Sequence, residues 1–159
     1  MTAQVAEQLR YEGEIMAMCT TPLAYYFEFG GTRPAFAQQS SALWRGYVGT
    51  WEVRDARLYL IGLSGSLEDG TPATLRTLFP DFPDRVFAHW FSGIARIPQG
   101  KLLEYVHMGY GSKYERDLLL SFEKGVLQET QIRVNGVGAD GAPENYDVAA
   151  FTTFPRQAR

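Results

Sequence analysis

Apolar residues along the chain recur at every second position over short runs, and Gly, Pro, Asp and Asn break the runs apart. That period belongs to strands. It predicts strands over Leu9–Met18, Tyr25–Phe29, Leu43–Val53, Arg57–Leu63, Val86–Ile97, Lys101–Met108, Asp117–Phe122, Val126–Val134 and Asp147–Thr152. Helical periodicity is weak. It predicts Ala3–Leu9, and Pro72–Leu78 with Thr71 as N-cap and Pro72 at the first helical position. Many short strands with few helices imply a mainly β fold, an antiparallel barrel-like or sandwich domain with one or two short helices. No repeat, low-complexity tract or linker divides the 159 residues, so they read as a single domain. Gly30–Ala42 and the glycine-rich Asn135–Tyr146 read as loops, the second as a mobile one.

Turn chemistry fixes some registers. A turn at Asp55-Ala56 pairs Val53 with Leu58, Trp51 with Leu60 and Gly49 with Gly62. One face then carries Trp51, Val53, Leu58 and Leu60, and the alternation extends it back through Tyr47 to Arg45. The other face, with Thr50, Glu52, Tyr59 and Ile61, is half polar. "RIPQGKL" suits a three-residue hairpin loop at Pro98-Gln99-Gly100, with positive φ at Gly100. That loop pairs Ile97 with Lys101 and Gly93 with Tyr105, and it sets Phe91, Leu103, Tyr105 and His107 on one apolar face. Arg96 and Glu104 fall together on the opposite face as a solvated ion pair. A third hairpin turns at Lys124-Gly125, with two registers open.

Two hairpins thus each place a polar group on an apolar face, Arg45 in one and His107 in the other. A buried arginine requires an acceptor or water. It either reaches the strand end, snorkelling out or pairing with a carboxylate such as Glu28, or it lines the mouth of a pocket with Tyr47, Trp51, Tyr105 and His107. His107 by itself also suits a satisfied core histidine.

Composition narrows the partners. Net charge is -3, the pI is about 5.4 and no long basic run occurs, which argues against nucleic acid. Aromatic residues make up 14% of the chain, as suits strands and binding surfaces alike. The single cysteine, Cys19, cannot form an internal disulfide and reads as a packed thiol. The opening residues lack an apolar signal core, and no run of 18 apolar residues occurs, so the expected location is cytoplasmic with no membrane contact.

Recognised chemistry is sparse. His89 and His107 face opposite sides in the expected register, so no metal site is predicted, and no cofactor motif is present. "GLSGS" lacks the helix that a nucleophile elbow requires. "GYGSKYERD" reads as a strand connection, or as a backbone anion cradle beside Lys113.

Three segments, "WRGYVGTWEVRDARLYL", "VFAHWFSGIARIPQGKLLEYVHMGYGS" and "YERDLLLSFEKGVL", together resemble a group of small bacterial proteins that form a domain of unknown function. The resemblance runs from about Gln8 to Val126. It implies a bacterial, cytosolic, single-domain protein and carries over no functional residue. The residues themselves suggest a β domain that binds a small molecule or a protein partner at Arg45, Tyr47, Trp51, Tyr105 and His107. The alternatives are an immunity or accessory protein that masks a partner, and a hydrolase using His107 with a nearby carboxylate.

Overall fold

The computed structural model describes residues 3–146. In order these are β1 (Glu7–Tyr11), β2 (Glu14–Met18), α1 (Pro22–Glu28), β3 (Tyr47–Arg54), β4 (Arg57–Gly65), α2 (Leu75–Leu78), β5 (Val86–Phe87), β6 (Gly93–Glu104), β7 (Lys113–Glu123) and β8 (Val126–Val134). The fold is mainly β, with eight strands in one sheet ordered β2-β1-β3-β4-β8-β7-β6, and β5 paired to β4. Every pairing is antiparallel except β1 with β3. The sheet does not close into a barrel. Its two ends approach where the Cys19 N–H donates to the Arg96 carbonyl at 2.8 Å and the Arg96 N–H to Thr20 Oγ1 at 3.1 Å. No helix among the described residues is long and apolar enough to cross a membrane. The expected strand Asp147–Thr152 lies outside the described residues.

The hairpins are set by backbone turns whose two central residues both have positive φ, the twist that matches right-handed strands. They are Glu12-Gly13 (50° and 79°), Asp55-Ala56 (51° and 60°) and Lys124-Gly125 (48° and 79°). The first divides the expected strand Leu9–Met18 into β1 and β2. In the second, Val53 opposes Leu58 and Trp51 opposes Leu60 as expected. A bulge between Thr50 and Trp51 then shifts the register, so Gly49 opposes Leu63 and not Gly62. At the third, Glu123 opposes Val126 and Phe122 opposes Leu127.

Several elements differ from expectation. Ala3–Leu9 is not a helix: its second half enters β1, where Glu7 and Leu9 are buried while Gln8 and Arg10 are exposed. Pairing to strands on both sides overrides the helix-forming composition. Tyr25–Phe29 is not a strand: Tyr25 to Glu28 belong to α1, started by Pro22 in its first turn, and Phe29 is its C-cap. Its aromatic residues pack on the core, Tyr25 edge-on to Phe91 at 5.0 Å. The helix expected over Pro72–Leu78 begins only at Leu75, because Pro72 bridges to Ser66. Thr74, not Thr71, caps it, and the Thr74 N–H donates to Thr77 Oγ1 at 2.9 Å.

The largest departure is at Pro98-Gln99-Gly100, which does not form a hairpin. β6 runs through it, pairing Ile97 with Leu118, Pro98 with Asp117 and Gln99 with Arg116 before an irregularity leads to Leu102 opposite Tyr114. Gly100 does have the expected positive φ, 82°, but the conformation serves a bulge. β6 is the terminal strand of the sheet, so its proline need not donate to a neighbour on both sides. The face-sharing of Tyr105 and His107 with Phe91 falls with that hairpin. So does the pair Arg96–Glu104: Arg96 binds Asp117, and Glu104 lies 3.8 Å from Lys113.

The main core gathers Leu9, Met18, Leu23, Tyr47, Trp51, Leu58, Leu60, Phe91, Ile97 and Leu120, all at most 2% exposed. Trp51 is its largest wholly buried side chain. Trp51→Ala is expected to cost about 3–5 kcal/mol of unfolding free energy. A loss below about 1 kcal/mol in equilibrium denaturation would contradict this packing.

Candidate functional site

Arg45 lies in the turn before β3, not in the strand. One terminal nitrogen, Nη2, donates to Glu7 Oε2 at 2.8 Å, and its guanidinium carbon sits 5.5 Å from the centre of the Tyr47 ring. The acceptor is therefore Glu7, not Glu28. Glu7 has no exposed surface. Its carboxylate also accepts the Gly49 N–H at 2.7 Å and Trp51 Nε1 at 3.1 Å. Burial pushes the Glu7 carboxyl above the ordinary glutamate range, while the Arg45 charge and the Gly49 and Trp51 donors pull it back. Burial disfavours the Arg45 charge, yet the Glu7 carboxylate outweighs it and holds the guanidinium above its ordinary value. Arg45 Nε is buried and has no hydrogen-bond partner among the described residues.

Of the five residues singled out from sequence, the structure brings three together: Arg45, Tyr47 and Trp51 surround the Glu7 carboxylate. Tyr47 is 2% exposed and packs on Phe27 and Phe36. Tyr105 and His107 lie beyond the end of β6, both exposed, with their rings edge-to-face at 4.4 Å. His107 forms no ion pair with a carboxylate among the described residues. Nor do three His, Cys, Asp or Glu side chains gather there as metal ligands would. Sequence reading missed Glu7 because its segment was assigned to a helix. The signal that could have found it is the alternation of Glu7 and Leu9 with Gln8 and Arg10.

Two open concavities carry exposed chemistry. The larger, about 740 Å³, lies over the outer face of β1, β3 and β4. Its floor is the half-polar face read from sequence: Thr50, Glu52 and Arg54 alternate outward from the core residues Trp51 and Val53, beside Ile61 and Gly62. Arg10 projects from the adjoining strand, where it is paired in register with Glu52. The far wall is the segment Asp81–Arg85, in which Phe82 is 53% exposed. Arg85 lies 4.8 Å from the centre of the Tyr59 ring. Arg10, Arg54 and Arg85 thus line one groove together with Glu52, Asp81 and Asp84, and no two of them form an ion pair within 4.0 Å.

The second concavity, about 530 Å³, includes Arg96, Lys113, Asp117, Arg133 and Asn135. Asp117 is 1% exposed and is held from both sides. Arg96 Nε donates to its Oδ1 at 2.9 Å, and Arg133 Nη2 and Asn135 Nδ2 donate to its Oδ2 at 2.7 and 3.0 Å. The remaining Arg96 donors reach the Tyr110 and Ser112 carbonyls at 2.7 and 2.8 Å. Burial raises the Asp117 carboxyl, but the Asn135, Arg133 and Arg96 donors outweigh it and hold it below the ordinary aspartate range. The cluster ties β6, β7 and β8 together. Cys19, buried nearby, has its thiol pushed far up by burial.

Comparison of the chain with family models, with curated proteins and with solved structures gives no match.

Removing one member of a buried ion pair strands the other. Glu7→Gln is therefore expected to cost about 3–5 kcal/mol, and Arg45→Lys to lower the melting temperature while the fold persists. Unchanged melting of both variants would reject the pairing. Asp117 gives a pH signature. Its lowered value means that the stability it contributes is full above the ordinary 3.8 and is lost as pH falls through the folded value. The melting difference between wild type and Asp117→Asn should accordingly shrink on acidification below that point. A difference that stays constant with pH would assign Asp117 a packing role only.

Proposed function

We propose that the protein is a ligand-binding β domain whose site is the groove over β1, β3 and β4. The observation that carries this reading is the set of three exposed arginines, Arg10, Arg54 and Arg85, that project into a 740 Å³ concavity without ion-pair partners among the described residues. A guanidinium is a planar fork suited to carboxylate or phosphate. Glu52, Asp81 and Asp84 supply acceptors for donor groups on the same ligand, and Phe82 offers an apolar face. The ligand is accordingly a small polar molecule carrying an anionic group together with amine or hydroxyl donors. Arg45, Tyr47 and Trp51 support this site from behind and do not line it. The cytoplasmic setting belongs to the same proposal, and the single buried thiol supports it.

A thermal-shift screen of amino acids, small carboxylates, sugar phosphates and nucleotides tests the reading, because a ligand bound only by the folded state raises its melting temperature. Arg54→Ala and Arg10→Ala should abolish the shift of a ligand found this way. Both residues are exposed, so the unliganded protein should lose no more than about 0.5 kcal/mol. A ligand whose shift survives all three of Arg10→Ala, Arg54→Ala and Arg85→Ala would place binding elsewhere.

A further inference from the structure

β8 is paired along its whole length on one edge only. β7 holds it from Val126 to Val134. On its other edge Val126 meets Arg57, and the Leu127 N–H donates to the Ala56 carbonyl at 2.7 Å. Beyond that point, among the described residues, no strand occupies the edge. All seven residues from Gln128 to Val134 are exposed, Ile132 at 57% and Val134 at 77%. Open edges of this kind are ordinarily blunted by proline, lysine or a bulge. The stretch "QETQIRV" contains neither proline nor lysine, and the one register shift between β7 and β8 falls at its first residue, Gln128, which leaves Glu129–Val134 in continuous register with β7.

We propose that this edge pairs with the same edge of a second copy of the chain, antiparallel about a two-fold axis at Gln131. The order of charges carries the inference. With the axis at Gln131, Glu129 of each copy lies directly opposite Arg133 of the other, and symmetry makes the ion pair twice. Thr130 then opposes Ile132, and Gln128 opposes Val134. Sliding by one residue sets Glu129 against Ile132 and Arg133 against Gln128, so both charges lose their partner. Directly opposed unlike charges stabilise a strand pair, and a self-complementary patch is what a two-fold contact requires.

Both side chains are placed for it. Glu129 is exposed and has no ion pair or hydrogen bond among the described residues. Arg133 is 55% exposed and is already oriented by Asp117, which takes its Nε and Nη2 at 3.2 and 2.7 Å. Its Nη1 makes no hydrogen bond among the described residues, so it can reach the second copy while the Asp117 contact stays whole. An arginine already held by its own sheet loses less conformational freedom on pairing. Seven residues from each copy form an interface below the standard size, which makes the dimer weak and concentration-dependent.

Sedimentation velocity from about 10 µM to about 1 mM spans the range for such an interface. A reversible dimer should appear toward the upper end. Glu129→Lys, which sets a cation opposite Arg133, should weaken it at least tenfold without lowering the melting temperature, because Glu129 is exposed. Gln131→Cys should cross-link to itself on mild oxidation, since directly opposed strand residues lie within disulfide reach and Cys19 is buried. Glu68→Cys, on the segment after β4, should not. A monomer at every concentration overturns the proposal and leaves the edge to a foreign strand. A dimer that withstands Glu129→Lys, or that Gln131→Cys does not cross-link, overturns it as well.

Discussion

The Glu7 carboxylate is shut away from water and is satisfied by three donors that belong to the other side of a strand pairing: Arg45, the Gly49 N–H and the Trp51 indole. Leaving a charge buried without partners is among the costliest things a fold can do. The parallel pairing of β1 with β3 is therefore bound to the local shape of β3. Gly49 is a glycine because a Cβ there would lie 2.5 Å from Glu7 Oε1 and 2.7 Å from Trp51 Nε1. The bulge between Thr50 and Trp51 begins beside it. The turn that holds Arg45 leads straight into the strand. One buried anion thus fixes a glycine, a bulge, an indole and an arginine, and through them the junction of the first hairpin with the rest of the sheet.

What was legible in the sequence was local. The turns at Asp55-Ala56 and Lys124-Gly125, and the alternation around Trp51, follow from neighbouring residues, and they stand in the structure. The half-polar outer face of Thr50, Glu52 and Ile61 was readable for the same reason, and it is the floor of the groove. The physical argument that Arg45 needs an acceptor holds, although its place in a strand does not. What failed depended on distant partners. Glu7 sits 42 residues from Gly49, so nothing nearby marks it as a core acid. At Pro98-Gln99-Gly100 the residue types of a tight turn serve equally well for a bulge in a terminal strand. Only the continuous neighbour β7 decides between them. The wall Asp81–Arg85 and Arg10 come to the groove from other parts of the chain, which no spacing rule foretells.

The sheet divides its charged residues by task. Arg96 and Arg133 are bound to Asp117 and hold three strands in register. Arg10, Arg54 and Arg85 hold nothing comparable and stand open in the groove. The same residue type is a brace where a buried carboxylate faces it and a free fork where none does.

The two ends of the sheet meet through three hydrogen bonds, from the Cys19 N–H to the Arg96 carbonyl, from the Arg96 N–H to Thr20 Oγ1 and from Thr20 Oγ1 to the Ile94 carbonyl, the second across 76 residues of chain. A seam held by so few hydrogen bonds, between segments so distant, is expected to open before the ladders on either side of it. Cys19 sits on that seam, buried while it is shut. Its thiol is thus a clock built into the molecule: the rate at which a small alkylating reagent reaches it, far below that of a free cysteine, counts the breathing of the sheet.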